Sequence, residues 1–164
     1  MSTSLRSTLL DSSLPTLGRV PYRPELLDEL GALQLRLGEL TREVERTCRA
    51  GEPTRCAECI CAFDGALSQY LIDEGVQFEP YLRYALERDL DTQALMRQLR
   101  ARLRELSREV HEIAELSARQ GTGDRTVRAV SQVMDRVGLE LAHCLGRQRE
   151  VLFPLYRPLD GLPG

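Results

Sequence analysis

Two pairs of polar residues, each spaced one helical turn apart, are the first candidates for chemistry in this sequence. Tyr70 and Glu74 form one pair, and Cys144 and Gln148 form the other. Both pairs replace apolar residues on amphipathic stripes, so their side chains are predicted to point into a protein interior. Gln34 falls on the stripe of its own segment and is predicted to face inward with them. Helical bundles build metal sites from such pairs, with one ligand above another on each helix.

The same residues also fit an ordinary protein interior. Tyr70 can be a core aromatic whose hydroxyl reaches a neighbour, and Gln148 can form a hydrogen bond across a bundle. A buried polar group that lacks a partner costs about 1–3 kcal/mol, so each of these groups needs a partner under either interpretation. Residue types and spacing alone leave both interpretations open.

The cysteines form a second constellation, Cys56-x-x-Cys59-x-Cys61, with Cys48 shortly before it. On a helix Cys56 and Cys59 share a face and Cys61 points away, whereas Cys48 ends the preceding segment and can approach either of the first two. Three interpretations stay open. In the first, the thiols serve as small apolar side chains. In the second, they form a redox pair acidified by a helix N-terminus and by Arg55. In the third, they are metal ligands.

Histidine is the remaining residue type that commonly binds metals or transfers protons. His111 and His143 are the two histidines of the chain, and each lies one residue away from an apolar stripe. Such positions usually lie at the flank of a helix rather than in a core. The two histidines are therefore kept as candidate ligands that the pattern does not favour.

Composition limits the classes of function. The chain has 164 residues, 42% of them hydrophobic and 29% charged, with a net charge of −3. Charges of both signs are interspersed, so no basic face for nucleic acid is expected. No apolar run of about 18 residues and no signal-like N-terminus occurs, which predicts a soluble cytoplasmic protein with reduced thiols. All of its basic residues are arginine, which suggests a GC-rich bacterial genome.

Four apolar stripes with helical spacing run along the chain, over about 24–49, 53 to the high 80s, 91–119, and from 124 onwards. Four stripes joined by short loops can only face one another, which predicts an all-α, antiparallel up-down-up-down four-helix bundle over 22–160. Residues 1–21 are predicted to be a partly disordered N-terminal arm. Gly51 should end the first helix, Asp89 or Asp91 should cap the third, and a kink or break is expected in the second near Pro80.

Three segments resemble signatures of the hemerythrin-like (HHE cation-binding) family. Residues 71–82, LIDEGVQFEPYL, look like the ending of the family's second helix, and 149–156, REVLFPLY, look like the ending of its fourth. Residues 24–30, PELLDEL, resemble the run before its first ligand histidine. The resemblance covers about 24–160 and implies a four-helix bundle around a metal centre.

The family's ligands, carried over position by position, are mostly replaced. The first histidine falls on Gln34, the second-helix His and acid fall on Tyr70 and Glu74, and the fourth-helix pair falls on Cys144 and Gln148. The third-helix ligand falls in the arginine-rich stretch 102–107. Only one carboxylate survives, so the resemblance implies a degenerate metal site.

The expected function is a non-catalytic bundle that has lost its cofactor and acts by binding another protein or as a regulatory or structural domain. Whether a homodimer forms is left open, and neither nucleic acid nor membrane is expected as a partner. The alternative is an iron-binding sensor of oxygen, nitric oxide or redox stress with a reduced ligand set. A third hypothesis is an apolar ligand pocket at the old metal level, near Gly75 and Gly146. The expected partner of a buried Glu74 is an arginine of the third helix, with Arg102 the first candidate, or a tyrosine hydroxyl.

Overall fold

The computed structural model describes residues 20–119 and 123–159, which form four long helical rods and contain no strand. Five α-helices run in the order α1 Leu26–Arg49, α2 Pro53–Asp73, α3 Glu79–Ala85, α4 Leu90–Arg119 and α5 Asp124–Arg147. A π-helical turn, Glu74–Phe78, joins α2 to α3 in one rod. A second π turn, Gln148–Leu152, extends α5 and is followed by a 3-10 turn, Phe153–Leu155.

The rods form a closed ring in which α1 packs against α2 and α5, and α4 packs against the same two helices. Short connections join consecutive rods, so neighbours run antiparallel. This arrangement confirms the predicted all-α four-helix bundle. The predicted arm lies almost entirely in residues 1–19, outside the described residues. In the described ranges no helix combines the length and apolar content that crossing a membrane requires.

The predicted stripes line the common core. Leu30, Leu37, Leu103, Leu106 and Val137 are each fully buried, and every rod contributes to one continuous apolar cluster. Burying a side chain of this size contributes about 1.5–3 kcal/mol. The core therefore holds the rods in a fixed register, and polar residues on the same stripes are forced into the interior.

The ends of the helices follow the sequence signals. Gly51 adopts φ +64°, a left-handed conformation that glycine tolerates, directly after the first rod. Asp89 precedes α4, and its Oδ1 accepts a hydrogen bond of 3.0 Å from the backbone N–H of Thr92, so Asp89 is the predicted cap.

Both π turns stand in the same relation to a proline. Glu74 opens one turn and Pro80 follows six residues later, and Gln148 and Pro154 repeat this spacing. The backbone N–H of Glu79 donates to the Glu74 carbonyl, and that of Phe153 donates to the Gln148 carbonyl. A proline cannot continue the α-helical ladder, and single π turns accommodate such a break. The predicted irregularity at Pro80 is thus a widened turn that begins at Glu74.

Candidate functional site

A chain of hydrogen bonds links three of the four rods inside the bundle. Gln34 Nε2 donates to the Tyr70 hydroxyl over 2.8 Å, and the hydroxyl donates to Gln148 Oε1 over 2.5 Å. Gln148 Nε2 then donates to Glu74 Oε1 over 2.7 Å. We call these four residues the polar chain. They are the predicted inward-facing residues apart from Cys144, and the structure brings them together.

The polar chain is almost entirely shielded from solvent. Tyr70 and Gln148 are 0% exposed, and Gln34 and Glu74 are each 3% exposed. Burial raises the pKa of Glu74 to about 7, against smaller opposing effects of Arg100, the Gln148 hydrogen bond and Arg104. Burial also raises the pKa of Tyr70, and the charge of Glu74 adds to the rise. The surroundings of the polar chain therefore favour neutral side chains, and the Glu74 carboxyl changes its charge near neutral pH.

The donor set of the polar chain does not fit the metal centre that the family resemblance implies. It offers one carboxylate, one phenol and two amides. Tyr70 and Gln148 each donate and accept a hydrogen bond within the polar chain, and Gln34 donates one. Iron sites use histidine nitrogen and carboxylate oxygen. In residues 20–119 and 123–159, no three His, Cys, Asp or Glu side chains form a group that could hold a metal ion.

Two oxygen atoms of the polar chain are left over. Gln34 Oε1 and Glu74 Oε2 are both buried and have no hydrogen-bond partner among the described residues. Protonation of Glu74 at Oε2 neutralises the carboxyl while Oε1 still accepts from Gln148. That arrangement agrees with the raised pKa of Glu74.

The remaining candidate ligands lie away from the polar chain. Cys144 is buried one turn before Gln148, and burial raises the pKa of its thiol. His111 lies on the surface, where its Nδ1 is 2.9 Å from Asp64 Oδ2 and that hydrogen bond raises its pKa. His143 is exposed on α5. Both histidines therefore occupy the flanking positions that their sequence spacing predicted.

The prediction that Arg102 pairs with Glu74 is wrong. Arg102 forms ion pairs with Glu105 and Glu140 on the outside of the bundle, because its position on α4 faces α5. The partner of Glu74 is the Gln148 amide. A neutral amide can satisfy a buried carboxyl without bringing a second charge into the core, which would add a large desolvation cost.

The cysteines converge at the opposite end of α2. The Sγ atoms of Cys48 and Cys56 are 3.1 Å apart across the turn between α1 and α2. Burial and the neighbouring Cys56 thiol raise the pKa of Cys48 to about 12, and burial also raises the pKa of Cys59. Cys61 is exposed, and all five cysteines are free thiols. The approach of Cys48 to Cys56 agrees with one of the two predicted pairings.

A second buried carboxylate was missed by the sequence analysis. Glu79 begins α3, is 4% exposed, and forms ion pairs with Arg83 and with Arg100 from α4. Arg100 lies directly over Gly75, where an added Cβ would be 2.5 Å from its Nη2 atom. The spacing of Glu79 and Arg83, four residues apart on a helix, was the available signal.

Comparison of the chain with protein-family models, with curated proteins and with solved structures finds no match in any of the three.

Proposed function

We propose that this chain is a non-catalytic four-helix bundle that acts by binding another protein, and that its polar chain is a structural element at the level where hemerythrin-like proteins hold a metal. One observation carries the proposal. Gln148 uses both atoms of its amide, and Tyr70 uses its hydroxyl as donor and acceptor, to tie three rods together inside the core.

Such a network favours a fixed structure over chemistry. Substrates need access, whereas the four groups are between 0% and 3% exposed. Buried hydrogen bonds that link several helices fix the helix register and make the core specific to one arrangement. What remains for function is the outer surface of a rigid bundle, which supports a role in protein recognition.

The outer surface also carries apolar residues at several places. Leu35, Ile72, Val76 and Leu139 are exposed by 68%, 56%, 60% and 76% respectively. Single exposed apolar residues are common, but Ile72 and Val76 lie one turn apart on the same rod and form a local patch. This patch favours a partner protein over a purely structural role.

Native mass spectrometry of the full chain, purified without chelators from cells grown with added iron, tests the proposal together with elemental analysis. We expect less than stoichiometric iron and a complex with a second polypeptide in a fixed ratio. Stoichiometric iron on the isolated chain would overturn the proposal in favour of the iron-binding sensor. The Tyr70→Phe variant is the matched control, because it should leave the partner ratio unchanged while it lowers thermal stability.

A further inference from the structure

A groove between the α2–α3 rod and α4 is lined by arginines. Its upper part, of about 400 Å³, lies between Gly75 and Arg97 and includes the Glu79–Arg100 ion pair. Its lower part, of about 550 Å³, runs past Leu71, and the two parts share Arg104. We call the whole the arginine groove. Its basic residues are Arg83, Arg97, Arg100, Arg104 and Arg108.

The arginine groove has an excess of positive charge. Arg83 and Arg100 share Glu79, whereas Arg97, Arg104 and Arg108 form no ion pair in the part of the chain that the structure describes. The other acidic residue of the lining, Glu105, is paired with Arg102 over 2.6 Å. Three guanidinium groups therefore face solvent without a salt-bridge partner among the described residues, although the chain as a whole has a net charge of −3.

Arg100 is held in position, and three of the other groove arginines lie on the same helix. The buried carboxylate of Glu79 fixes the guanidinium of Arg100 against Gly75, where a larger residue would displace it. Arg97, Arg104 and Arg108 project from the same rigid helix. The span from residue 97 to residue 108 is about 16 Å at 1.5 Å per residue, or about three helical turns.

Apolar groups adjoin the charges. Leu71 is half-buried in the lower part of the groove, where Ala101 also lines the wall. Ile72 and Val76 do not line the groove itself; they lie on the outer face of the same rod, one position beyond Leu71 and Gly75. They are 56% and 60% exposed. Arginines that alternate with apolar contacts over three turns match a helix with one acidic and one apolar edge.

We propose that the arginine groove binds an acidic amphipathic helix of the partner protein. Carboxylates on that helix pair with Arg97, Arg104 and Arg108, and its apolar residues pack against Leu71, Ile72 and Val76. This inference rests on the proposed protein-binding function and names the partner's chemistry. Nucleic acid is the competing occupant, since it too presents regularly spaced anions, but it lacks an apolar edge.

Fluorescence anisotropy of the full chain with a labelled amphipathic peptide, bearing glutamates at i, i+4 spacing beside a leucine edge, tests this inference. We expect saturable binding that weakens as salt is raised, because exposed ion pairs are screened. The Arg97→Glu, Arg104→Glu double variant should bind about tenfold more weakly or worse. Arg42→Glu, Arg49→Glu is the matched control, with the same seven-residue spacing on exposed positions of α1, and should change the affinity less than about twofold.

Three outcomes of this assay overturn the inference. These are no saturable binding by the wild-type chain, equal losses for the test and control variants, and tighter binding of a labelled oligonucleotide duplex than of the peptide. Circular dichroism of each variant establishes that the bundle is folded. A natural partner that binds the double variant as well as the wild type would overturn this inference alone. Stoichiometric iron without a partner would instead overturn the proposed function.

Discussion

The polar chain and the arginine groove are built around two buried carboxylates that share one π turn. Glu74 opens the turn and points into the bundle, where it meets the Gln148 amide, and Glu79 follows the turn and meets Arg83 and Arg100. Both carboxylates are at most 4% exposed. The same chemical group is thus satisfied by a neutral partner inside the bundle and by cations at its edge.

The difference follows from the surroundings of the partners. The side chain of Arg100 is 21% exposed and that of Arg83 is 61% exposed, so both cations keep water on one side. A guanidinium beside Glu74 would lose its water altogether, at a cost that the ion pair rarely recovers. The interior therefore uses a carboxyl that can become neutral, and the edge uses fixed charge that is available for recognition.

Arg100→Ala should cause the largest loss of stability, because it removes the less exposed of the two cations beside Glu79. The change leaves Glu79 buried with only the exposed Arg83 beside it. Removing one partner of a buried pair costs about 3–5 kcal/mol, and we expect a loss near the lower end in the free energy of unfolding, measured by urea titration. Arg104→Ala, on an exposed neighbour without an ion pair, should change it by less than about 0.5 kcal/mol. Equal losses would contradict the assigned role of Glu79.

Glu74→Gln should change how the free energy of unfolding depends on pH. The pKa of Glu74 is about 7 in the folded protein against a usual 4.5, so the folded state keeps this proton where the unfolded state loses it. Stability from this group is complete below pH 4.5 and is lost as the pH rises towards 7. At about 1.4 kcal/mol per pH unit the loss is up to about 3 kcal/mol.

The glutamine variant carries a permanently neutral group of the same shape, so it should be more stable than the wild type at pH 8. The two should be about equally stable at pH 4.5. Urea titrations across this range measure the difference, and Glu150→Gln on the exposed side of the second π turn is the control. A constant difference between Glu74→Gln and the wild type at every pH would show that Glu74 does not titrate as described.

Tyr70→Phe tests how far the polar chain is cooperative. Removal of the hydroxyl strands Gln34 Nε2 and Gln148 Oε1 in the core, at an expected cost of about 1–3 kcal/mol in the free energy of unfolding. Tyr81→Phe is the control, since its hydroxyl donates over 2.6 Å to the Arg157 carbonyl in a partly solvated position. Chemical denaturation should give a smaller loss for Tyr81→Phe. The reverse order would mean that the polar chain contributes little.

Helical periodicity predicted most of the fold. The stripes predicted the four rods, and Gly51 and Asp89 marked helix ends where the structure has them. The inward-facing polar residues were also predictable, because a core stripe leaves its occupants no other direction. Local pattern and global packing agree for these elements, which is typical of a well-specified bundle.

The partners of those residues were beyond the sequence pattern. Whether Glu74 meets Gln148 or Arg102 depends on the rotation of α4 and α5 about their axes, which one stripe fixes only coarsely. Arg100 and Arg102 are two residues apart yet lie in contact with different helices. The π turn adds to the difficulty, because it changes which residues share a face between Glu74 and Glu79.

Gly75→Ala should have the smallest effect on stability and should still change peptide binding by the arginine groove. The new Cβ would displace the Arg100 guanidinium, which is the far end of a long side chain and can shift within its ion pair, while alanine favours helix over glycine by up to about 1 kcal/mol. We therefore expect a change in unfolding free energy within about 1 kcal/mol. Peptide binding should weaken about threefold or more, because the displaced guanidinium would move into the upper part of the groove beside Arg97. Gly65→Ala, where the added Cβ meets nothing within 4 Å, should leave peptide affinity unchanged. If the two variants bind the peptide equally well, the position of Arg100 over Gly75 does not matter for recognition, and the groove's remaining arginines must account for it.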